Sequence, residues 1–179
     1  MRVVTLFFLT TFLLSVSFTS ACAQSKKVEK QEPLTFSNSD FEFSLDSNWK
    51  RRDNTESFEW EDDLNGQEIL ISVLTAKEPM NPELRNKTAK ELMEIRRKSI
   101  DEISEGKATL TAVETTEKDD STELIVRGVD QTYGMQIYTA VIVHPTRAVT
   151  FAYYKYSPLL TDNAFREKSN ELRSAIKVH

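Results

Sequence analysis

The chain has 179 residues, 39% hydrophobic and 28% charged, with a net charge of −5. Its length fits one domain behind a leader, and its mildly acidic balance excludes the clustered positive face that nucleic acid demands. A single cysteine, Cys22, excludes an internal disulfide, and 4 glycines, at 66, 106, 128 and 134, are not spaced to cradle a phosphate.

Met1-Arg2 precedes an apolar stretch from Val3 to Phe18, which runs into Thr19-Ser20-Ala21-Cys22. Charge, apolar run and small residues in that order make a cleaved secretory signal. Two cuts fit. Ala21-Cys22-Ala23 obeys the small-x-small rule of an ordinary signal peptidase, which would remove residues 1–23 and leave Gln24 first. Thr19-Ser20-Ala21-Cys22 also resembles a bacterial lipobox, which would remove residues 1–21 and leave a diacylated Cys22. Residues 22–33 are polar and read as a tether, and residues 34–179 as the domain. The expected address is a periplasm-facing membrane if Cys22 is acylated, because two acyl chains exceed the anchoring threshold. Otherwise it is the periplasm or the medium. No second apolar run in the sequence approaches a spanning helix in length.

Phe41, Phe43 and Leu45 alternate with polar residues and predict a half-buried strand, ended by Asp46-Ser47-Asn48 and followed by Trp49. Phe58 and Trp60 alternate again. Asn65-Gly66 is the strongest hairpin signal in the chain. Ile69, Ile71 and Val73 then share one strand face, with Leu70 and Leu74 on the other, which predicts a central strand covered on both sides. Next comes helical spacing: Ala89, Leu92, Ile95, Ser99, Ile100 and Ile103. Thr88 and Glu91 form a capping box at its start, Asn81-Pro82 offers a competing start, and Gly106 suits its end. The two-residue period returns with Leu110/Ala112, Leu124/Val126, the run from Met135 to Val143, and Val149, Phe151 and Tyr153. Turns at 118–121 and at His144-Pro145-Thr146 join consecutive strands as antiparallel hairpins. Asp162 caps a last helix whose apolar line is Phe165, Leu172 and Ile176.

Strands, helix, strands, helix make an α+β domain: a mainly antiparallel sheet of about six or seven strands with two principal helices packed on it. Phe41-x-Phe43-x-Leu45-x-x-x-Trp49, with the element order after it and Phe165 near the start of the last helix, resembles the PsbP-like domains. That family includes the extrinsic photosystem II protein and many bacterial lipoproteins. The resemblance covers roughly residues 36–178. It implies an α/β/α sandwich and a non-catalytic accessory or binding role, and it carries over no catalytic residue. The leader is of the bacterial export type rather than an Arg- and Ser-rich transit peptide.

The chemistry-bearing residues are few. No G-x-S-x-G elbow occurs, and the only histidines are His144, in a turn, and His179. Glu61-x-Asp63-x-Asn65-Gly66 faintly resembles a calcium loop, but its twelfth position is Ser72 instead of a bidentate glutamate. Neither a metal nor a cofactor is expected. Lys50-Arg51-Arg52 and Arg96-Arg97-Lys98 are surrounded by acids and read as solvated faces. Trp49, Trp60, Tyr153 and Tyr154 sit on predicted strands. Core packing explains them, and a ligand groove or partner surface is the alternative. The expected function is therefore a non-enzymatic envelope protein, lipid-anchored through Cys22, that binds an unidentified envelope protein partner. A periplasmic carrier of a small apolar ligand is the second reading, and a carboxylate-based hydrolase is a distant third.

Overall fold

The computed structural model describes residues 34–39, 41–52 and 58–178. The signal segment, Cys22 and the tether lie outside the described residues. In chain order come β1 (Leu34–Ser37), β2 (Phe41–Leu45), β3 (Lys50–Arg52), β4 (Phe58–Asp62), β5 (Gln67–Thr75) and α1 (Pro82–Ile103). There follow β6 (Ala108–Leu110), β7 (Glu114–Glu117), β8 (Thr122–Asp130), β9 (Met135–Val143), β10 (Arg147–Tyr156), α2 (Asp162–Ser174) and β11 (Lys177–Val178).

The fold is α+β, with more strands than the alternation suggested. An 8-stranded antiparallel sheet runs β3-β4-β5-β10-β9-β8-β6, with β7 also on β8, and a separate 3-stranded sheet runs β1-β2-β11. The extra strands are short and polar or charged. β3 is Lys50-Arg51-Arg52, exposed throughout, and β7 is Glu-Thr-Thr-Glu, also exposed. Such strands carry no apolar alternation, and charged edges of this kind blunt edge-to-edge pairing.

Register sorts the side chains of the large sheet into two faces. Ile71 lies opposite Phe151, which lies opposite Ala140. These residues, with Ile69, Trp60, Tyr138, Val149 and Tyr153, bury against Phe41, Phe43 and Leu45 of the small sheet and Phe165 and Leu172 of α2. On the other face Leu124, Val126, Val141, Val143 and Ala148 bury against Ala89 and Met93 of α1. Ile100 continues that contact onto Met135 and Ile137. One outer layer is thus a helix, and the other is a helix plus a small sheet.

Several local expectations are corrected. Asn81, not Thr88, caps α1: its Oδ1 accepts from the Leu84 N–H at 2.8 Å, with Pro82 opening the helix where its missing N–H costs nothing. Thr88 lies inside the helix, its hydroxyl against the Met80 sulfur at 3.7 Å. The buried line of α1 is Arg85, Ala89, Met93 and Ile100, whereas Ile95 and Ile103 are 58% and 62% exposed. Thr161 caps α2, its hydroxyl accepting from Ala164, and Asp162 is the first helical residue. The β4–β5 connection is a four-residue loop between the paired Asp62 and Gln67, in which Gly66 alone has positive φ, at 57°. The strand expected at Leu110/Ala112 is split into β6 and β7, and Leu74 is exposed instead of covered. Among the described residues no helix is long and apolar enough to cross a membrane.

Candidate ligand groove

Tyr153 and Tyr154 point to opposite faces of β10, as strand geometry requires. Trp49, Trp60 and Tyr153 are buried in the core under the small sheet and α2, so none of the three presents a partner surface. Phe43 meets Trp60 edge-on at 5.4 Å. Tyr154 lies on the α1 face, where its hydroxyl is 2.9 Å from an Arg96 guanidinium nitrogen, so it too is committed to packing. Tyr153 donates to Gln67 Oε1 at 2.7 Å, and burial raises its pKa above the usual phenol value.

That hydroxyl belongs to a polar network closing one end of the sheet. Buried Asp62 accepts from the Asn65 N–H (3.2 Å), Asn65 Nδ2 (2.6 Å) and Gln67 Nε2 (3.3 Å). Buried Lys155 donates from Nζ to the carbonyls of Asn65 (2.8 Å) and Tyr156 (2.7 Å). Burial lowers the pKa of Lys155, and the nearby Asp62 carboxylate partly opposes the shift. Tyr153–Gln67 and Lys155–Asn65 hold the β4–β5 hairpin against the end of β10, while Asp62 closes the loop on itself. The faint calcium pattern therefore lies in a structural turn whose most buried carboxylate is spent on the loop's own amides. Among the described residues no group of three metal-ligating side chains converges. His144 sits in the β9–β10 turn, where its N–H donates to the Arg147 carbonyl at 2.7 Å.

Beside this network, a cavity of about 360 Å³ separates the first turns of α2 from the β6–β8 edge. Two depressions of about 410 Å³ lie elsewhere, on the outer face of α1 and over the β4–β5 hairpin, but both are lined mainly by charged side chains. The groove instead combines one aromatic ring, Phe165, and Val129 with polar and charged side chains.

Backbone geometry fixes the walls of the groove. Gly128 lets β6 approach β8 closely, because a Cβ there would lie 2.4 Å from Leu110 Cδ2 and 2.8 Å from the Thr109 carbonyl oxygen. Thr111 fixes the bend after β6, donating its N–H to the Arg127 carbonyl at 2.7 Å while its hydroxyl accepts from the Arg127 N–H at 3.1 Å. On the other wall, Gln136 holds the backbone of Leu160 from both sides, donating to its carbonyl and accepting from its N–H, each at 2.9 Å. This clamp sets where α2 begins. Phe165 then stacks on Tyr153 at 5.4 Å and 18°, presenting its outer side to the groove.

Charge is distributed unevenly along the lining. The Arg127 guanidinium lies 5.6 Å from the Tyr138 ring centroid and is paired with Glu114, so it is held in place. Asp162 and Arg166, one helical turn apart, make no ion pair with each other or with any other described residue. Beneath Arg127, burial pushes the Tyr138 phenol up to about 12, and its hydroxyl finds no hydrogen-bond partner among the described residues. The arrangement suits a small amphipathic molecule, with its apolar body against Phe165 and Val129 and its polar end toward Arg166 or Asp162. Of these residues, sequence reading singled out Phe165 and Asp162, both as features of the last helix and not of a groove. Arg127 interrupts the apolar alternation from Leu124 to Val129 with a charge, which was the available signal.

No family model matches the chain, and no curated protein matches it. A solved structure of a protein from Bacteroides thetaiotaomicron VPI-5482, at 1.50 Å resolution, aligns over 78% of this chain and 45% of its own length. The two share 10% sequence identity, with a TM-score of 0.40. The chain thus spans under half the length of that protein.

Proposed function

We propose that the chain is an exported, non-catalytic binding module of a bacterial envelope, tethered through a diacylated Cys22, with the groove beside α2 as its ligand site. The carrying observation is the groove itself: Gly128, Thr111 and Gln136 border a cavity that Phe165 faces together with Asp162 and Arg166, both without an ion-pair partner among the described residues. A PsbP-like sandwich, with its accessory role, agrees with this reading through Phe41, Phe43, Leu45 and Trp49, all of them core residues. The bound molecule would be presented to an envelope protein partner.

Carriage of a small ligand is the form of this reading that the position of the groove favours, because it lies between sheet and helix. Its lining makes that ligand amphipathic rather than wholly apolar. Native mass spectrometry of the full chain isolated from its own host provides the test. A co-purifying small molecule is expected on the wild type and is expected to be lost from Val129→Trp, whose indole would fill the groove. A bare mass for both proteins, with the same melting transition, would contradict the proposal.

A further inference from the structure

We infer that the sheet end formed by the β4–β5, β8–β9 and β10–α2 loops is a lipid-facing surface, the end on which the tethered domain rests. The inference takes its membrane from the diacyl-Cys22 reading above, and its contact surface from separate observations.

The first is an apolar cluster at this end. Leu64 is 85% exposed, Tyr133 52%, Leu159 42% and Tyr156 37%. Leu64, Tyr133 and Leu159 come from three loops that the fold draws together, and Tyr156 is the last residue of β10. Tyr156 N–H donates to the Gly66 carbonyl at 2.8 Å, and Lys155 Nζ reaches the Asn65 carbonyl. A Cβ on Gly66 would lie 3.5 Å from the Ser157 carbonyl oxygen, and one on Gly134 would lie 3.7 Å from Ser157 Cβ. Leucine and tyrosine at loop tips suit the headgroup boundary, where a tyrosine ring is buried while its hydroxyl stays wet.

The second is where the chain enters. Phe41 packs beside Phe58, and Phe43 beside Trp60, so β2 runs alongside β4 toward the β4–β5 loop. Leu45 ends β2 at that level, and Leu34, the first described residue, is its register partner. Lys50, five residues after Leu45, pairs with Asp63 in the same loop at 3.8 Å. Leu34 therefore lies at the end of the domain that carries the apolar tips.

Charge selects the kind of surface. Asp62 and Lys155 point inward and are buried, Lys50 pairs with Asp63, and Arg52 pairs with Glu61 and Glu68, the latter also 3.0 Å from the Tyr156 hydroxyl. With no basic excess at the tip, a zwitterionic lipid surface suffices. A second copy of the chain, the other apolar occupant, would have no reason to coincide with the end at which Leu34 lies.

The test uses the full chain isolated from membranes and returned to phosphatidylcholine vesicles with brominated acyl chains. A fluorophore is placed on Leu64→Cys, or on Lys118→Cys in the exposed β7–β8 turn at the opposite end of the sheet. Several-fold stronger quenching at position 64 than at 118 is expected, and Leu159→Asp should reduce it. Equal, weak quenching at both positions on a chain whose intact mass shows diacyl-Cys22 overturns the inference alone. Quenching at 64 replaced by concentration-dependent self-association also overturns it. An intact mass starting at Gln24 sinks the anchoring reading itself, and the inference with it.

Discussion

Tyr138 concentrates the residue-scale chemistry of the domain. Its ring packs edge-on against Phe151 at 6.0 Å, while its hydroxyl is buried without a partner among the described residues. An unpaired buried hydroxyl gains nothing from folding and loses its hydration, so Tyr138→Phe should leave stability at pH 7 unchanged or raise it by up to about 1 kcal/mol. The pH dependence has a definite sign. The folded phenol titrates near about 12 against 10.0 for a free one, so above pH 10 the unfolded chain loses the proton first. The stability this group contributes is complete below pH 10 and is lost as pH rises through 12, by at most roughly 2–3 kcal/mol. Urea unfolding at pH 8 and pH 11 checks both parts: Tyr138→Phe should show the smaller loss between them. Gly128 fails in the opposite way. Gly128→Ala drives a methyl group against the Thr109 carbonyl and Leu110, which should cost about 2 kcal/mol or more and detach β6, measurable as faster amide exchange across Ala108–Leu110.

Helix starts can be settled at the scale of the element. Both Asn81 and Thr88 are good capping residues by type, and the second sits in a well-formed box with Glu91. Asn81 does the capping, so Asn81→Ala should cost about 1 kcal/mol in chemical denaturation and Thr88→Ala only a few tenths. The reverse order would mean that the helix begins about two turns later. The same competition explains what sequence patterning revealed and what it concealed. Long alternations such as Met135–Val143 and Arg147–Tyr156 became strands because burial on both faces rewards apolar residues at every step. β1, β3, β7 and β11 have two to four residues each, and hydrogen bonding to a neighbour, not burial, defines them. The buried face of α1 was misplaced for a related reason. Arg85 counts as polar, yet it is buried because its guanidinium donates to the Asp119 carbonyl at 3.0 Å and lies 3.4 Å from that of Met80. The groove was the least legible feature. It depends on Gly128, Thr111 and Gln136, residues from three strands or bends whose proximity only the sheet order creates.

Across the whole molecule, stability rests on covering both faces of one large sheet. Phe151 lies at the centre of the face under the small sheet and α2, and Val141 at the centre of the face under α1. Phe151→Ala should cost about 3–5 kcal/mol, enough to threaten folding in a domain of ordinary marginal stability. Reductants should leave the melting transition unchanged, since Cys22 is the only cysteine. The same covering positions the groove: α2 lies over the sheet through Phe165 and Leu172, and Asp162, Phe165 and Arg166 of its first turns face the β6–β8 edge across the groove.

Hydrogen exchange of the protein as isolated from its host, compared with the same protein unfolded, stripped and refolded, tests that site most directly. With a ligand in the groove, amides of the first two turns of α2 and of β6 exchange more slowly in the host-isolated sample and speed up after stripping, while β5 and β10 do not change. Identical exchange at α2 and β6 in the two samples would contradict a ligand-holding role for this domain.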